Sequence, residues 1–325
     1  MSLIDSFGRN HTYLRISVTD RCNFRCIYCL PSEDITWTPK EDILRYEELA
    51  RLVHIFAQLG IQKIRLTGGE PTMRADICSL VASLSQIRGI QEVHMTSNGY
   101  TLPKLASPLY EAGLRNMNIS LDTLDPVVFH TMSRGFSINP VLQGIEKALS
   151  INIQLKINAV ILKNINEDSV FPLIDFCAQQ NIPLRFIEYM PFEARWHQCV
   201  TSEELQNRIS QRYTIQSKPS SLSSYSGPAQ EYYLPEKKLR VGFISPLSDR
   251  FCASCNRLRL SAKGELRTCL AHEEAPSLGA LIRSNSSDHE IAVHIQKQVS
   301  GKKEGHLCDV EKGTPFQGIM TQIGG

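Results

Sequence analysis

No run of eighteen consecutive apolar residues occurs in the 325-residue chain, so no transmembrane helix is expected. The first ten residues, MSLIDSFGRN, lack the charged-then-apolar order of a secretory leader. A cytoplasmic location is therefore expected. An excess of one charge sign is missing as well. The 35 Lys and Arg nearly balance the 33 Asp and Glu, and a net charge of +2 argues for neither a nucleic-acid nor a membrane surface. Any cationic site must come from local clustering. A disorder signature is absent too, since 42% of residues are hydrophobic and 21% charged, the balance of a globular protein.

What is present is cysteine, ten in all. In a reducing compartment, clustered cysteines read as metal ligands or catalysts, not disulfides. Six fall in two tight groups, Cys22, Cys26, Cys29 and Cys252, Cys255, Cys269. Of the scattered four, Cys78 and Cys177 sit in apolar helical patterns and are expected to be core residues. Cys199 and Cys308 carry no assigned role.

Along the chain, short strand patterns alternate with helical ones. Strands are expected at Tyr13–Thr19, Lys63–Thr67, Glu92–Ser97, Asn116–Asp122, Gln154–Leu162 and Pro183–Tyr189. Between them, apolar residues recur at three and four, as in Leu49, Leu52, Val53, Phe56 and Leu59, with Gly60 as the stop. Six such strand–helix units imply a parallel sheet with right-handed crossovers. After Tyr189 the alternation is lost. A Ser/Pro/Gly-rich connection, Lys218–Pro228, leads into a smaller C-terminal region. The expected division is residues 1–217 and residues 218–325.

Several strands carry a polar face where a barrel interior normally carries branched apolar residues. Tyr13, Arg15, Ser17 and Thr19 oppose Leu14, Ile16 and Val18, and Lys63, Arg65 and Thr67 oppose Ile64 and Leu66. Asn116, Asn118, Ser120 and Asp122 on the fourth strand, and Gln154, Lys156 and Asn158 on the fifth, repeat the pattern. The apolar faces must meet the helices, so the polar faces line the inside of the curved sheet. Buried cations without partners are costly, so an anionic ligand is expected among Arg15, Lys63, Arg65 and Lys156. A one-sided sheet with a solvated face would give the same pattern.

The first cysteine group, CNFRCIYC, follows the first strand directly. Thiolates suit iron–sulfur clusters or zinc. Three on one loop can hold three irons of a cubane and leave the fourth open. Zinc would need a further ligand, and the nearest histidine, His11, precedes the strand. After the second strand comes TGGEP, whose adjacent glycines would let the backbone approach a ligand closely. In the second group, Cys252-x2-Cys255-x13-Cys269-x2-His272 fits a Cys3His zinc site and an iron–sulfur site equally by spacing.

The first triad, with Tyr28 before its last cysteine and Gly68-Gly69-Glu70-Pro71 after the next strand, resembles the radical S-adenosylmethionine superfamily. That resemblance implies an α/β fold, an open (βα)6 partial TIM-like barrel with a smaller C-terminal cluster-binding region. It also implies a [4Fe-4S] cluster whose open iron binds S-adenosylmethionine and whose electron releases a 5′-deoxyadenosyl radical. Over nearly the whole chain, LTGGEPT, TSNGY, NISLDTLD, LRFIEYM, VGFISP, FCASCNRLR and the terminal Gly324-Gly325 resemble the GTP 3′,8-cyclase family of molybdenum cofactor biosynthesis.

By this resemblance Cys252, Cys255 and Cys269 hold a second [4Fe-4S] cluster that binds the guanine of GTP, and His272 is not a ligand. Arg15, Arg65, Thr96, Lys156, Arg257, Leu258 and Arg259 would contact GTP, with Lys63 and Arg185 as further triphosphate partners. Tyr28, Gly69, Ser120 and Met190 would line the S-adenosylmethionine pocket. The implied reaction converts GTP to 3′,8-cyclo-7,8-dihydro-GTP, a lyase activity, and a second enzyme, cyclic pyranopterin monophosphate synthase, takes the product on. A homodimer, an unidentified electron donor and a Gly324-Gly325 tail reaching the active site complete the implied picture. A radical peptide maturase with an auxiliary cluster and a zinc module binding nucleic acid are the rival readings.

Overall fold

The computed structural model describes residues 2–30, 35–190, 196–217, 227–270 and 277–305. His272, Cys308, Gly324, Gly325 and residues 218–226 of the connection lie outside the described residues.

The six expected units are all present. Strands β1 (Tyr13–Ser17), β2 (Lys63–Thr67), β3 (Glu92–Ser97), β4 (Asn116–Ser120), β5 (Gln154–Val160) and β6 (Leu184–Ile187) lie side by side in that order, all parallel. Helix α1 (Tyr46–Gln58) joins β1 to β2, α2 (Ile77–Ser85) joins β2 to β3, and α3 (Leu102–Glu111) joins β3 to β4. Helices α4 (Pro126–Ser133) and α5 (Asn139–Ser150) follow β4, and α6 (Val170–Gln179) follows β5.

Four of the strands stop two residues or more short of their expected ends. Val18 still donates to Thr67 O at 3.0 Å, but the chain then turns away to present the first cysteines. Asp122 leaves the ladder because its carboxylate accepts from Val160 N at 2.8 Å and from the Tyr28 hydroxyl at 2.7 Å.

The faces divide as their alternation demands. Leu14, Ile16, Ile64, Leu66, Met95, Met117, Ile119 and Ile157 are buried in one core with the helix stripes, among them Leu52, Val53, Phe56, Leu80, Leu109, Val141, Ile145 and Leu173. Cys177 is fully buried in this core and Cys78 packs against it. The polar face is only partly solvated, being half-buried to exposed along β5 and buried along β2. Lys63, Arg65, Thr67, Asn118 and Arg259 are each less than a tenth exposed.

The C-terminal region does more than its irregular sequence suggests. After α7 (Ser202–Ser210), strands β7 (Gln216–Ser217), β8 (Gln230–Leu234) and β9 (Leu239–Ile244) extend one edge, β9 lying parallel to β6. Strand β10 (Arg257–Leu260) lies parallel to β1 at the other edge, with β11 (Leu266–Arg267) outside it. Helices α8 (Leu278–Arg283) and α9 (Asp288–Ser300) follow. The sheet is open, in the order β11-β10-β1-β2-β3-β4-β5-β6-β9-β8-β7. Pairing of β10 with β1 brings the second cysteine segment to the same sheet as the first.

Candidate active site

Leaving β1, the chain enters the segment of Cys22, Cys26 and Cys29, which is pinned on three sides. Gly69 N donates to Thr19 O at 2.8 Å and Glu70 N to Arg21 O at 2.9 Å. A Cβ on Gly68 would lie 2.2 Å from Thr19 O, and one on Gly69 2.3 Å from Arg21 O. The adjacent glycines therefore allow two backbones to meet; the approach expected from the sequence was to a ligand. On the opposite side Ile27 N donates to Met132 O at 3.0 Å and Arg25 N to Ser133 O at 3.3 Å, docking the segment on the end of α4. Beneath it Phe24 packs among Tyr100, Phe129 and Phe136, ring centroids 4.6 to 5.9 Å away.

Glu70 closes this arrangement. Its buried carboxylate accepts from Thr72 N (3.1 Å), Thr72 Oγ1 (2.6 Å), Ser97 Oγ (2.9 Å) and Asn98 N (2.7 Å). Asn98 Nδ2 in turn donates to Asn23 Oδ1 at 2.9 Å and lies 3.8 Å from Cys22 Sγ. The loop after β3 thus buttresses the cysteine segment.

Burial pushes the Cys22 and Cys29 thiols up to about 12 and raises Cys26 well above the usual thiol range. Glu70 adds to this at Cys22 and Asp122 at Cys29. Protonated thiols make poor nucleophiles. Ligation changes that, because a metal takes the thiolate. Among the described residues no three Cys, His, Asp or Glu side chains converge closely enough for one metal ion. Three thiols sharing one braced segment suit three corners of an iron–sulfur cubane.

The second triad stands in a different field. Cys252 and Cys255 bracket a single 3-10 turn, Cys255 N donating to Cys252 O at 3.2 Å, and Cys269 follows β11. Arg257 NH2 lies 3.8 Å and Lys302 Nζ 3.7 Å from Cys255 Sγ. Burial alone would raise the Cys255 thiol, but Arg257 and Lys302 pull it down to about 7.

Between the triads runs the polar face. Strand register places Arg259, Arg15, Arg65 and His94 in one row across β10, β1, β2 and β3. The row below it holds Arg257, Tyr13, Lys63 and Glu92. Neighbouring strands are about 4.8 Å apart, so three guanidinium-bearing residues lie within about 10 Å. Arg65 donates to the Tyr13 hydroxyl, lies 3.0 Å from His94 Nδ1 and donates to Thr96 Oγ1 at 3.3 Å. Burial, with neighbouring cations, lowers Arg15 to about 10 and Arg259 well below its ordinary value. Lys156 is lowered to about 8 by burial and then by Arg185. Burial would raise Tyr13, but Arg65 and Arg15 bring it down to about 8.

The expected residues divide accordingly. Arg15, Arg65, Arg259 and Arg257 share the rows just described, and Lys156 pairs in register with Asn118 on β4. Lys63 and Arg185, expected to await phosphates, already have partners. Lys63 Nζ lies 2.8 Å from Glu92 and Arg185 3.1 Å from Glu231. Leu258 alternates to the opposite face and is fully buried in the core, which leaves only its backbone for any ligand. Tyr28 is half-buried with its hydroxyl on Asp122, whose carboxyl burial raises to about 6. Ser120 ends β4, and Met190 lies just past β6; both are half-buried.

Sequence reasoning missed Lys302, the bond of Tyr28 to Asp122 and the partnership of Tyr13 and His94 with Arg65. Tyr13 stood on the polar face, and alternation along β3 places His94 in line with Thr96, a signal that was available. Lys302 is 47 residues from Cys255 and had none.

Comparison with known proteins is consistent with this architecture. The Radical SAM superfamily model matches residues 16–177, and the Molybdenum Cofactor Synthesis C model matches residues 182–308. A GTP 3′,8-cyclase of Nitrobacter winogradskyi is 40% identical over 94% of this chain and 90% of its own length. One of Saccharophagus degradans is 38% identical over 100% of this chain and 99% of its own. Molybdenum cofactor biosynthesis protein 1 of Drosophila melanogaster is 40% identical over 94% of this chain and 54% of its own length. Among solved structures, Streptococcus suis SuiB bound to S-adenosylmethionine shares the fold, with a TM-score of 0.61 over 96% of this chain and 78% of that one at 15% identity. The superfamily match spans the first triad, so a [4Fe-4S] cluster and S-adenosylmethionine belong to this chain's chemistry. With relatives of such identity and coverage, the chain belongs to the GTP 3′,8-cyclase family of radical S-adenosylmethionine enzymes in molybdenum cofactor biosynthesis.

Proposed function

We propose that the chain binds GTP along the polar face between its two cysteine triads and converts it to 3′,8-cyclo-7,8-dihydro-GTP, acting as a lyase. The observation that carries this reading is the row of Arg259, Arg15 and Arg65, cations aligned on three adjacent strands, the outer two buried and Arg15 half-buried. A triphosphate matches such a row in charge, and forked guanidinium donors suit it. Arg257 and Lys156 extend the grip, and Thr96 faces the same cavity through its contact with Arg65. Lys63 and Arg185 would have to leave Glu92 and Glu231 to join, so they serve better by holding the wall of the site.

Cys22, Cys26 and Cys29 would hold one [4Fe-4S] cluster, with Tyr28, Gly69, Ser120 and Met190 around S-adenosylmethionine. Cys252, Cys255 and Cys269 would hold a second cluster, against which the guanine end of GTP is placed. When bound, the first cluster and S-adenosylmethionine supply a radical that removes hydrogen from the ribose C3′. The protein's part is orientation: cations at the phosphate end and the second triad at the base end keep C3′ close to C8. Residues 218–325 would form the unit that carries the second triad. A homodimer in the cytoplasm, an electron donor protein and a cyclic pyranopterin monophosphate synthase consuming the product complete the proposal. The Gly324-Gly325 tail would enter the active site.

Incubation of the reduced, anaerobic protein with S-adenosylmethionine and GTP tests this. Formation of the cyclised nucleotide is expected, from a brown protein with about eight irons, the sum of two [4Fe-4S] clusters. Turnover of a peptide without nucleotide cyclisation would support a maturase instead. A colourless protein containing zinc would overturn both.

A further inference from the structure

Lys302 is a buried ammonium, 3% exposed, whose hydrogen bonds run to Cys255 Sγ at 3.7 Å and Arg257 O at 3.1 Å. Among the described residues no carboxylate pairs with it, and its nearest charged groups include Arg9 and Arg257 of like sign. A buried charge in that position is costly unless something negative lies beside it. The available negative group is the second triad in its thiolate form. Three thiolates on a [4Fe-4S] core leave a net negative charge in either of its usual oxidation states, and N–H···S hydrogen bonds and nearby charge set the potential of such a cluster.

The position of Lys302 is held from several directions. Its own N donates to Val299 O at 3.0 Å, which continues the end of α9. The next two residues are clamped by Arg9, which donates to Lys303 O at 2.7 Å, Glu304 O at 2.6 Å and Cys252 O at 2.9 Å. Arg9 is oriented by Asp5 at 2.6 Å, and Asp5 by the buried His11 at 3.0 Å. One guanidinium thus joins the N-terminal arm, the second cysteine turn and the segment that carries Lys302. Such a clamp locks the rotamer of a long, flexible side chain that would otherwise lose its direction.

We infer that Lys302 is a positioning and tuning residue of the second cysteine triad, its ammonium donating to Cys255 sulfur and raising the reduction potential of the cluster held there. The inference rests on the proposal that this triad holds a cluster. It is tested in the full-length chain carrying Cys22→Ala, Cys26→Ala and Cys29→Ala, so that only the second cluster gives a signal. Iron content and a potentiometric EPR titration are compared for Lys302, Lys302→Met and Lys302→Arg. Lys302→Met is expected to shift the midpoint to a more negative value or to lose the iron, and Lys302→Arg to restore both. An unchanged midpoint with full iron in Lys302→Met overturns the role, as does equal iron loss in Lys302→Met and Lys302→Arg, which marks a packing role only. If Lys302→Met does not fold, Lys302→Gln against Lys302→Arg makes the same comparison. The underlying reading fails separately: if Cys252→Ala, Cys255→Ala and Cys269→Ala together remove no iron from the otherwise unaltered chain, there is no second cluster to tune.

Discussion

Glu188 offers a sharp quantitative test of how the barrel rim is joined to the second triad. It follows β6 and is 4% exposed. One carboxylate oxygen accepts from Ser202 N at 2.8 Å and from the Ser248 hydroxyl. The other accepts from Leu247 N and Ser248 N, both at 3.2 Å. Ser202 opens α7, where a carboxylate is further favoured by the helix dipole. Four donors thus converge on one side chain, and the chain beyond Ser248 leads directly to Cys252. In Glu188→Gln the shape is kept, but only one oxygen remains to accept. If the amide oxygen faces Leu247 and Ser248, its NH2 meets Ser202 N–H. The Ser248 hydroxyl can rotate to accept, whereas Ser202 N–H is left without an acceptor. An orphaned buried donor costs about 1–3 kcal/mol, and exchanging charge-assisted bonds for neutral ones adds about 1 kcal/mol. The expected loss is about 2–4 kcal/mol. Anaerobic urea titration of the reduced, metal-free protein measures it through the shift in midpoint at unchanged slope. A change below about 0.5 kcal/mol, the range of ordinary surface substitutions, would refute the reasoning.

Three further outcomes follow from the same structure. Gly69→Ala drives a Cβ to within 2.3 Å of Arg21 O, so it should cost about 1–3 kcal/mol of overpacking and lower iron uptake by the first triad; melting and iron content matching the parent protein would count against it. Lys156, lowered to about 8, loses its charge as pH rises past that value, so GTP affinity measured by equilibrium dialysis should weaken from about pH 8 upward, and Lys156→Arg should flatten the profile. His11, lowered to about 4 by burial, binds fewer protons folded than unfolded between about pH 4 and its ordinary 6.5. Stability should therefore rise with pH across that window and fall on acidification, with a smaller slope in His11→Gln; parallel slopes would contradict the assignment.

How much of this was legible depended on the range of each interaction. Period-two alternation with polar residues on one side and apolar on the other is local, so all six parallel strands, and the polar faces of β1, β2, β4 and β5, could be read residue by residue. Cysteine spacing is local as well. The pairing of β10 with β1 was not, because RLRL is four residues long and its partner lies more than two hundred residues away. Nor was the use of Gly68 and Gly69 as a meeting point of two backbones, since a glycine pair after a strand looks the same whether a ligand or a loop lies opposite. The Lys63–Glu92 and Arg185–Glu231 pairs were hidden for a related reason: register across strands decides which carboxylate reaches which cation. Lys302 and Arg9 lie far apart in sequence, and Arg9 reaches both the segment of Lys302, through Lys303 O and Glu304 O, and the second cysteine turn, through Cys252 O.

These distant contacts give the two triads opposite electrostatic settings. Around Cys22, Cys26 and Cys29 the nearby charged groups include Glu70 and Asp122, and burial keeps the thiols protonated until a metal takes them. Around Cys255 the nearby groups are Arg257 and Lys302, and the thiol is already close to ionising at neutral pH. Negative surroundings disfavour adding an electron to a cluster, and positive surroundings favour it. Arg257, one of the two cations that ease thiolate formation at Cys255, stands on β10, whose Arg259 lies in the arginine row of the polar face. A strand with the pattern Arg257-Leu258-Arg259 therefore serves two ends at once. Its buried leucine fixes the strand to the core, and its two arginines carry positive charge from the cysteine turn onto the polar face. Moving either arginine by one residue would exchange it with the leucine, placing a cation in the apolar core and an apolar side chain on the polar face. The Arg-Leu-Arg order is thus what strand geometry requires of a segment that puts two cations on the polar face and an apolar anchor in the core.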